Sequence, residues 1–119
     1  MAVDPCQGYR AAGIHAGLKK DGGLDLGLIY SETPAAAAAV FTRNRVQAAP
    51  VILDRQRIAS GRAQAVIVNS GNANCCTGER GMRDAENMGQ AAAVAMGVAP
   101  TDVLVASTGV IGQPLPIAK

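Results

Sequence analysis

The stretch Asp102-Val103-Leu104-Val105-Ala106-Ser107-Thr108-Gly109-Val110-Ile111-Gly112 decides the fold. Its first half is a short apolar run with β-branched Val103 and Val105, which reads as a buried strand. Its second half breaks into Ser107, Thr108 and Gly109, with a second glycine at Gly112. Pro114 and Pro116 follow, where a helix is expected to begin. A strand ending in small hydroxyl and glycine residues leaves backbone N–H groups free at its carboxyl end, the edge at which α/β sheets hold ligands. Such N–H groups bind a phosphate or a developing oxyanion.

Working outward, Ala65-Val66-Ile67-Val68 is the clearest buried strand of the chain, and it runs into Asn69-Ser70-Gly71-Asn72-Ala73-Asn74. Asparagine tolerates left-handed backbone and bonds its own main chain. This loop is therefore either an elaborate turn or a set of amides aimed into a site, with Asn69, Ser70, Asn72 and Asn74 as candidates. Thr77 is placed to cap a helix over about Gly78 to Met96, with Met82, Ala85, Gly89, Ala92 and Met96 on its apolar face. Gly97 ends it. Strand, Asn-rich loop, helix, strand and Thr-Gly loop make one βαβ unit with parallel strands and a right-handed crossover. Both polar loops then follow carboxyl ends of parallel strands, so they are expected to share one site.

The N-terminal half reads as a hairpin followed by shorter elements. Met1 to Arg10 is an irregular lead-in, and Ala11 to Leu18 a strand with two glycines around His15. General-base work by His15 needs a partner for the ring, and nothing nearby in sequence supplies one. Lys19-Lys20-Asp21-Gly22-Gly23 is a turn into a second strand, Leu24 to Tyr30, which Ser31-Glu32-Thr33-Pro34 breaks. A third strand is expected over about Ala38 to Thr42, then a turn at Arg43-Asn44-Arg45 that is either solvated or an anion contact. Val51-Ile52-Leu53 reads as a short strand, with Asp54 capping a helix from Arg55 to about Ser60 that Gly61 terminates.

The whole chain has 119 residues, 49% hydrophobic and 17% charged, which excludes a disordered tail and fits one α/β domain. Aromatics are 3%, so the core must be built from Ala, Val, Ile, Leu and Met. A net charge of +2 is too small to argue for nucleic acid or an anionic membrane. No run is long and apolar enough to span a bilayer, and Met1 to Pro5 is unlike a signal peptide. Cys6, Cys75 and Cys76 lack zinc-site spacing, no metal site is expected, and a disulfide between neighbours is strained. They read as reduced thiols in a cytoplasmic protein. The chain stops where a helix should start, so residues 1–119 are expected to be a single incomplete domain.

Four motifs together resemble the ornithine acetyltransferase family (bifunctional glutamate N-acetyltransferase and amino-acid acetyltransferase, the ArgJ type). They are Ala11-Ala12-Gly13-Ile14-His15-Ala16-Gly17-Leu18-Lys19, Val40-Phe41-Thr42-Arg43-Asn44-Arg45-Val46, Val68 to Asn74, and Ala106 to Gly112. The match runs from Tyr9 onward in the family's order, and Cys75 stands where the family usually has alanine before Cys-Thr-Gly. The resemblance implies the N-terminal part of that family's α chain and fold, here hairpin strands followed by the βαβ unit. It implies acetyl transfer from N-acetylornithine to glutamate in arginine biosynthesis, with acetyl-CoA as a second donor in some members and no bound cofactor. A precursor of this kind cleaves itself before a threonine, which becomes the nucleophile at the head of the β chain, its own α-amine acting as base. Thr108 and Gly109 match the pair that stabilises the oxyanion. No threonine here has the cleavage context, so the nucleophile lies outside this chain. The isolated chain is then expected to be inert, its partners being the rest of the α chain and the β chain in a hetero-oligomer. Two other readings stand beside it: a related self-processing aminopeptidase, and a small α/β phosphate-binding module, against which the missing Walker lysine and Gly-x-Gly-x-x-Gly argue.

Overall fold

The computed structural model describes residues 6–119. Four strands form one sheet in the order β1 (Tyr9–Ile14), β2 (Leu26–Ala36), β3 (Arg62–Asn72), β4 (Val103–Val110). β1 pairs antiparallel with β2, β2 antiparallel with β3, and β3 parallel with β4. α1 (Ala49–Arg57) and a 3-10 turn (Ile58–Ser60) lead into β3, and α2 (Gly78–Met96) is the crossover from β3 to β4. The hairpin and the βαβ unit expected from sequence are both present.

Side chains along β3 alternate. Ala63, Ala65, Ile67 and Asn69 are buried, while Gln64, Val66, Val68 and Ser70 are half-buried. This is the pattern of a sheet covered on one face. Ala49 and Leu53 of α1 and Ala85, Met88, Ala92 and Ala93 of α2 make one cluster with Ala65, Ile67, Val103 and Val105. Val103 and Val105 are almost wholly buried, and each contributes roughly 1.5–3 kcal/mol by leaving water. Gly89 lets α2 close on β4, since a Cβ there would come within 3.1 Å of Val105 Cγ1. Met88 is the buried methionine of this core and half-buried Met82 packs against it, whereas Met96 does not belong to it.

Several local expectations are corrected. Val51-Ile52-Leu53 is helix, not strand: Pro50 opens α1 in its first turn, where a missing N–H costs nothing, and Ala49 and Leu53 bury at i, i+4 spacing. Asp54 is then inside α1 and caps no helix; its Oδ1 accepts the Val105 N–H at 2.9 Å. Ser31 to Pro34 does not end β2, which continues to Ala36 across a register shift between Tyr30 and Ala35 that accommodates the proline. Ala38 to Thr42 is irregular, because the ladder to β3 is already taken by Ala35 and Ala36. That segment folds back on α1, with Arg55 and Gln47 side chains donating to the Thr42 carbonyl.

At the N-terminus β1 begins at Tyr9, within the expected lead-in, and stops at Ile14. The expectations for Met1 to Pro5 lie outside the described residues. Ser107, Thr108 and Gly109 continue β4 rather than ending it. No helix forms after Pro114; the segment is irregular and is anchored by buried Leu115. No helix among the described residues is long and apolar enough to cross a membrane.

Candidate functional site

β3 and β4 stay in parallel register from Ala65 opposite Val103 to Gly71 opposite Gly109. The two polar segments singled out in the sequence therefore lie side by side, Asn69 by Ser107 and Ser70 by Thr108. Direct cross-strand neighbours share a face. Ser70 and Thr108 thus share the face away from the helices, and Asn69 and Ser107 the face beneath them. At Gly71 and Gly109 the two backbones touch: a Cβ on Gly109 would lie 2.7 Å from Gly71 Cα and closer still to Gly71 C and Asn72 N. Gly109 has φ +131° and Gly71 φ +109°, where only glycine rests without strain.

Among the described residues no strand pairs with the outer side of β4. There the Asp54 carboxylate accepts the Val105 N–H, and an Arg57 guanidinium N–H donates to the Val103 carbonyl. Main-chain N–H groups alternate in direction along a strand. Those of Ser107 and Gly109 therefore turn outward as Val105 does, with the exposed Thr108 side chain between them. Burial pushes the Asp54 carboxyl up to about 6 against the opposing pull of the Val105 N–H and Arg57. Burial likewise lowers the Arg57 guanidinium from its ordinary value, against the raising effect of Asp54 and Glu86.

The asparagines are mostly occupied in holding this edge. Asn72 Nδ2 donates to the Gln113 and Pro114 carbonyls at 3.1 Å each, and its Oδ1 accepts the Asn74 N–H at 2.8 Å. Asn74, at φ +46°, donates from Nδ2 to the Gly81 carbonyl and accepts at Oδ1 from the Thr77 hydroxyl. Thr77 precedes α2 as expected, yet its hydroxyl is spent on Asn74 and caps no helix N–H. Asn69 Nδ2 donates to the Asn72 carbonyl at 2.8 Å, while its buried Oδ1 has no partner, nor has buried Ser107 Oγ. Asn69 also lines a cavity of about 340 Å³ with Leu18, Leu26, Asn87, Met88 and Leu115. That cavity is bordered by neither Ser70 nor Thr108.

Asp25 was not singled out by sequence reasoning, and it fastens the hairpin to the site. Its side chain is buried and accepts N–H groups of Ala16, Leu18 and Lys19 at 2.6, 2.6 and 2.8 Å. Its carbonyl accepts the Ser70 N–H at 2.8 Å. Burial alone would raise this carboxyl; the three N–H donors and His15 outweigh it and hold it below the ordinary carboxylate value. His15 does have a partner, contrary to the sequence reading: Nδ1 lies 3.0 Å from the Gly23 carbonyl and 3.4 Å from Asp25 Oδ2. Only the closed hairpin loop brings these groups together, so spacing along the chain carries no signal of them. Arg43 and Arg45 lie in an exposed, irregular segment. Among the described residues no group of three or more His, Cys, Asp or Glu side chains is placed to hold a metal.

The profile of the ArgJ family matches residues 10–119. The arginine biosynthesis bifunctional protein ArgJ of Geobacter sulfurreducens is 54% identical over 113 residues, covering 95% of this chain and 29% of the relative. That of Caldanaerobacter subterraneus subsp. tengcongensis is 55% identical over 113 residues, covering 95% of this chain and 28% of the relative. The chain thus spans less than a third of the length of these curated relatives. The crystal structure of the ArgJ protein of Bacillus halodurans superposes with a TM-score of 0.90 at 49% identity, covering 94% of this chain and 59% of that one. Ornithine acetyltransferase of Mycobacterium tuberculosis, solved with ornithine, gives 0.86 at 48% identity, covering 94% and 61%. With the profile running almost end to end and the fold shared at close to half identity, the chain belongs to the ArgJ family.

Proposed function

We propose that this chain forms the oxyanion-stabilising part of an enzyme that moves an acetyl group from N-acetylornithine to glutamate, in the cytoplasm, within arginine biosynthesis. The carrying observation is the Thr108–Gly109 edge, where a side-chain hydroxyl and an outward-turned N–H belong to neighbouring residues of β4 on the stretch packed closely against β3 at Gly71. In the first half-reaction a threonine oxygen, supplied from outside these residues, attacks the acetyl carbonyl. The carbonyl oxygen takes up negative charge, the Thr108 hydroxyl and Gly109 N–H donate to it, and the C–N bond breaks as ornithine leaves with a proton. The acetyl-threonine ester is then attacked by the glutamate amine through a second oxyanion of the same form, and the threonine oxygen leaves protonated. Acetyl-CoA is an alternative donor to the same ester. Autocatalytic cleavage ahead of the threonine frees the amine that serves as its base.

The chain needs no metal or cofactor for this chemistry, since two hydrogen-bond donors aimed at the developing charge are worth several kcal/mol in a water-poor site. The test is acetyl transfer by the complete polypeptide of the parent reading frame, wild type against Thr108→Ala. Removal of one oxyanion donor costs roughly 2.7–4 kcal/mol, a loss of about a hundred- to a thousandfold in kcat with KM little changed. Transfer unaffected by Thr108→Ala would end the proposed role. The isolated 119-residue chain is expected to show no transfer, and turnover by it would show that the nucleophile lies within these residues.

A further inference from the structure

The loop between β3 and α2 carries two thiols that the acetyl-transfer reading leaves unused. Cys75 Sγ and Cys76 Sγ are 3.7 Å apart, and neither cysteine is in a disulfide. Cys76 is exposed and has φ +59°, while Cys75 is half-buried. The peptide joining them also has a structural duty: its Cys75 carbonyl accepts the Gly112 N–H at 2.9 Å. One residue pair earlier, the Ala73 N–H donates to the Val110 carbonyl at 2.9 Å. The thiol pair therefore sits on the loop that holds the chain in place just after Thr108 and Gly109.

We propose that Cys75 and Cys76 are a redox-modification site, in which a hydroperoxide converts the adjacent thiols to a reversible disulfide and thereby loosens the Gly112–Cys75 contact. The exposed Cys76 meets the oxidant first. Burial and the neighbouring Cys76 sulfur push the Cys75 thiol above its ordinary value, so it waits as the resolving thiol. The Cys76 sulfur attacks one peroxide oxygen, the O–O bond breaks, and with hydrogen peroxide the other oxygen leaves as water carrying the thiol proton. Cys76 is then a sulfenic acid. The Cys75 sulfur attacks Cys76 Sγ, the S–O bond breaks, and a second water leaves with the Cys75 proton. Two thiols are oxidised to one disulfide and one hydrogen peroxide is reduced to two waters.

The geometry explains why the product is a switch and not a staple. The sulfurs must close from 3.7 Å to about 2.05 Å. Neighbouring Cα atoms are only about 3.8 Å apart across a trans peptide, below the roughly 4.4–6.8 Å that disulfides prefer. Such a bond is strained and readily reduced, the property of regulatory and not structural disulfides. The ring that closes contains the Cys75 carbonyl carbon, so its closure turns the group that accepts the Gly112 N–H. The inference does not rest on the acetyl-transfer reading.

The test uses the 119-residue chain carrying Cys6→Ser, so that only the pair can react. Hydrogen peroxide is added, and the tryptic peptide spanning residues 63–80 is weighed before and after dithiothreitol. The expected peptide has lost two hydrogen atoms and regains them on reduction. Cys75→Ala in the same background is expected to stop at oxygenated Cys76. Amide exchange at Gly112 is expected to speed up by roughly fivefold on oxidation and to recover with the reductant, the effect of losing one ordinary hydrogen bond. Oxygen added at Cys76 with Cys75 still a thiol, or disulfides only between chains, overturns the site. An intrachain disulfide with unchanged Gly112 exchange overturns the switch.

Discussion

Replacing Gly109 by alanine tests whether the two strands touch as closely as described. The added Cβ would lie 2.7 Å from Gly71 Cα and nearer still to Gly71 C and Asn72 N, all backbone atoms of a paired strand that have no rotamer to escape into. Two costs combine. A positive φ of +131° strains alanine by about 1–3 kcal/mol, and forcing a methyl into filled space costs about 1–3 kcal/mol more. Gly112→Ala separates them: Gly112 has φ +78°, and a Cβ there would meet nothing within 4 Å, so it carries the first cost alone. Equilibrium urea unfolding of the chain, followed by circular dichroism, is expected to show Gly109→Ala less stable than Gly112→Ala by about 1–3 kcal/mol, at equal denaturant slope. Gly109→Ala no more harmful than Gly112→Ala would refute the close approach of β3 and β4 at this point.

Asp54→Asn should stabilise the protein in a pH-dependent way. A carboxyl raised to about 6 when folded binds its proton more tightly in the folded state, so its favourable contribution is present below the unfolded value near 4 and is lost as pH rises through about 6. Asparagine keeps an acceptor for the Val105 N–H without the charge; thermal melts should show a gain of about 1 kcal/mol near pH 8, after allowance for partial exposure, and little difference near pH 4. An equal gain at both would sink the argument. Asp25 has the opposite sign: its lowered carboxyl contributes stability above about pH 4 that disappears as pH falls through the folded value. Asp25→Ala should therefore flatten the acid limb of the stability curve and speed amide exchange at Ala16, Leu18 and Lys19, and unchanged exchange there would show that the carboxylate does not hold the loop.

The βαβ unit was legible because its signals are local and agree. The Ala65–Val68 run marks β3, while the three-and-four spacing along α2 and Gly97 after it mark the helix; Thr77 marks its start although its hydroxyl caps no N–H. From that unit the shared edge of Ser70 and Thr108 followed by topology alone. Of α1 only the later part was legible, the helical stretch from Arg55 that ends at Gly61; its first half was not, since Pro50-Val51-Ile52-Leu53 has strand-like composition. What holds it helical is tertiary: burial of Ala49 and Leu53, and the bonds of Asp54 and Arg57 to β4. The alanine run at Ala35 to Ala39 was ambiguous because alanine favours no face, and only pairing with Ala63 and Arg62 decides where β2 ends. Individual roles within the Asn-rich loop were equally hidden, for an amide that builds a turn and one that faces a ligand look alike in sequence. Asn72 and Asn74 are engaged within the turn, whereas Asn69 has a bare carbonyl oxygen.

The side chains of Asp54 and Arg57 have a consequence for how copies of this chain meet. An uncovered outer strand is a template on which a second chain can add, one ladder bond after another, toward insoluble assemblies. Along Val103 and Val105, the most apolar part of β4, an incoming strand must first eject a carboxylate and a guanidinium from the groups it needs. Growth of the sheet is thereby blocked where it would be most adhesive. The outward N–H groups left without such a side-chain cover are those of Ser107 and Gly109, and of these the proposed chemistry requires that of Gly109.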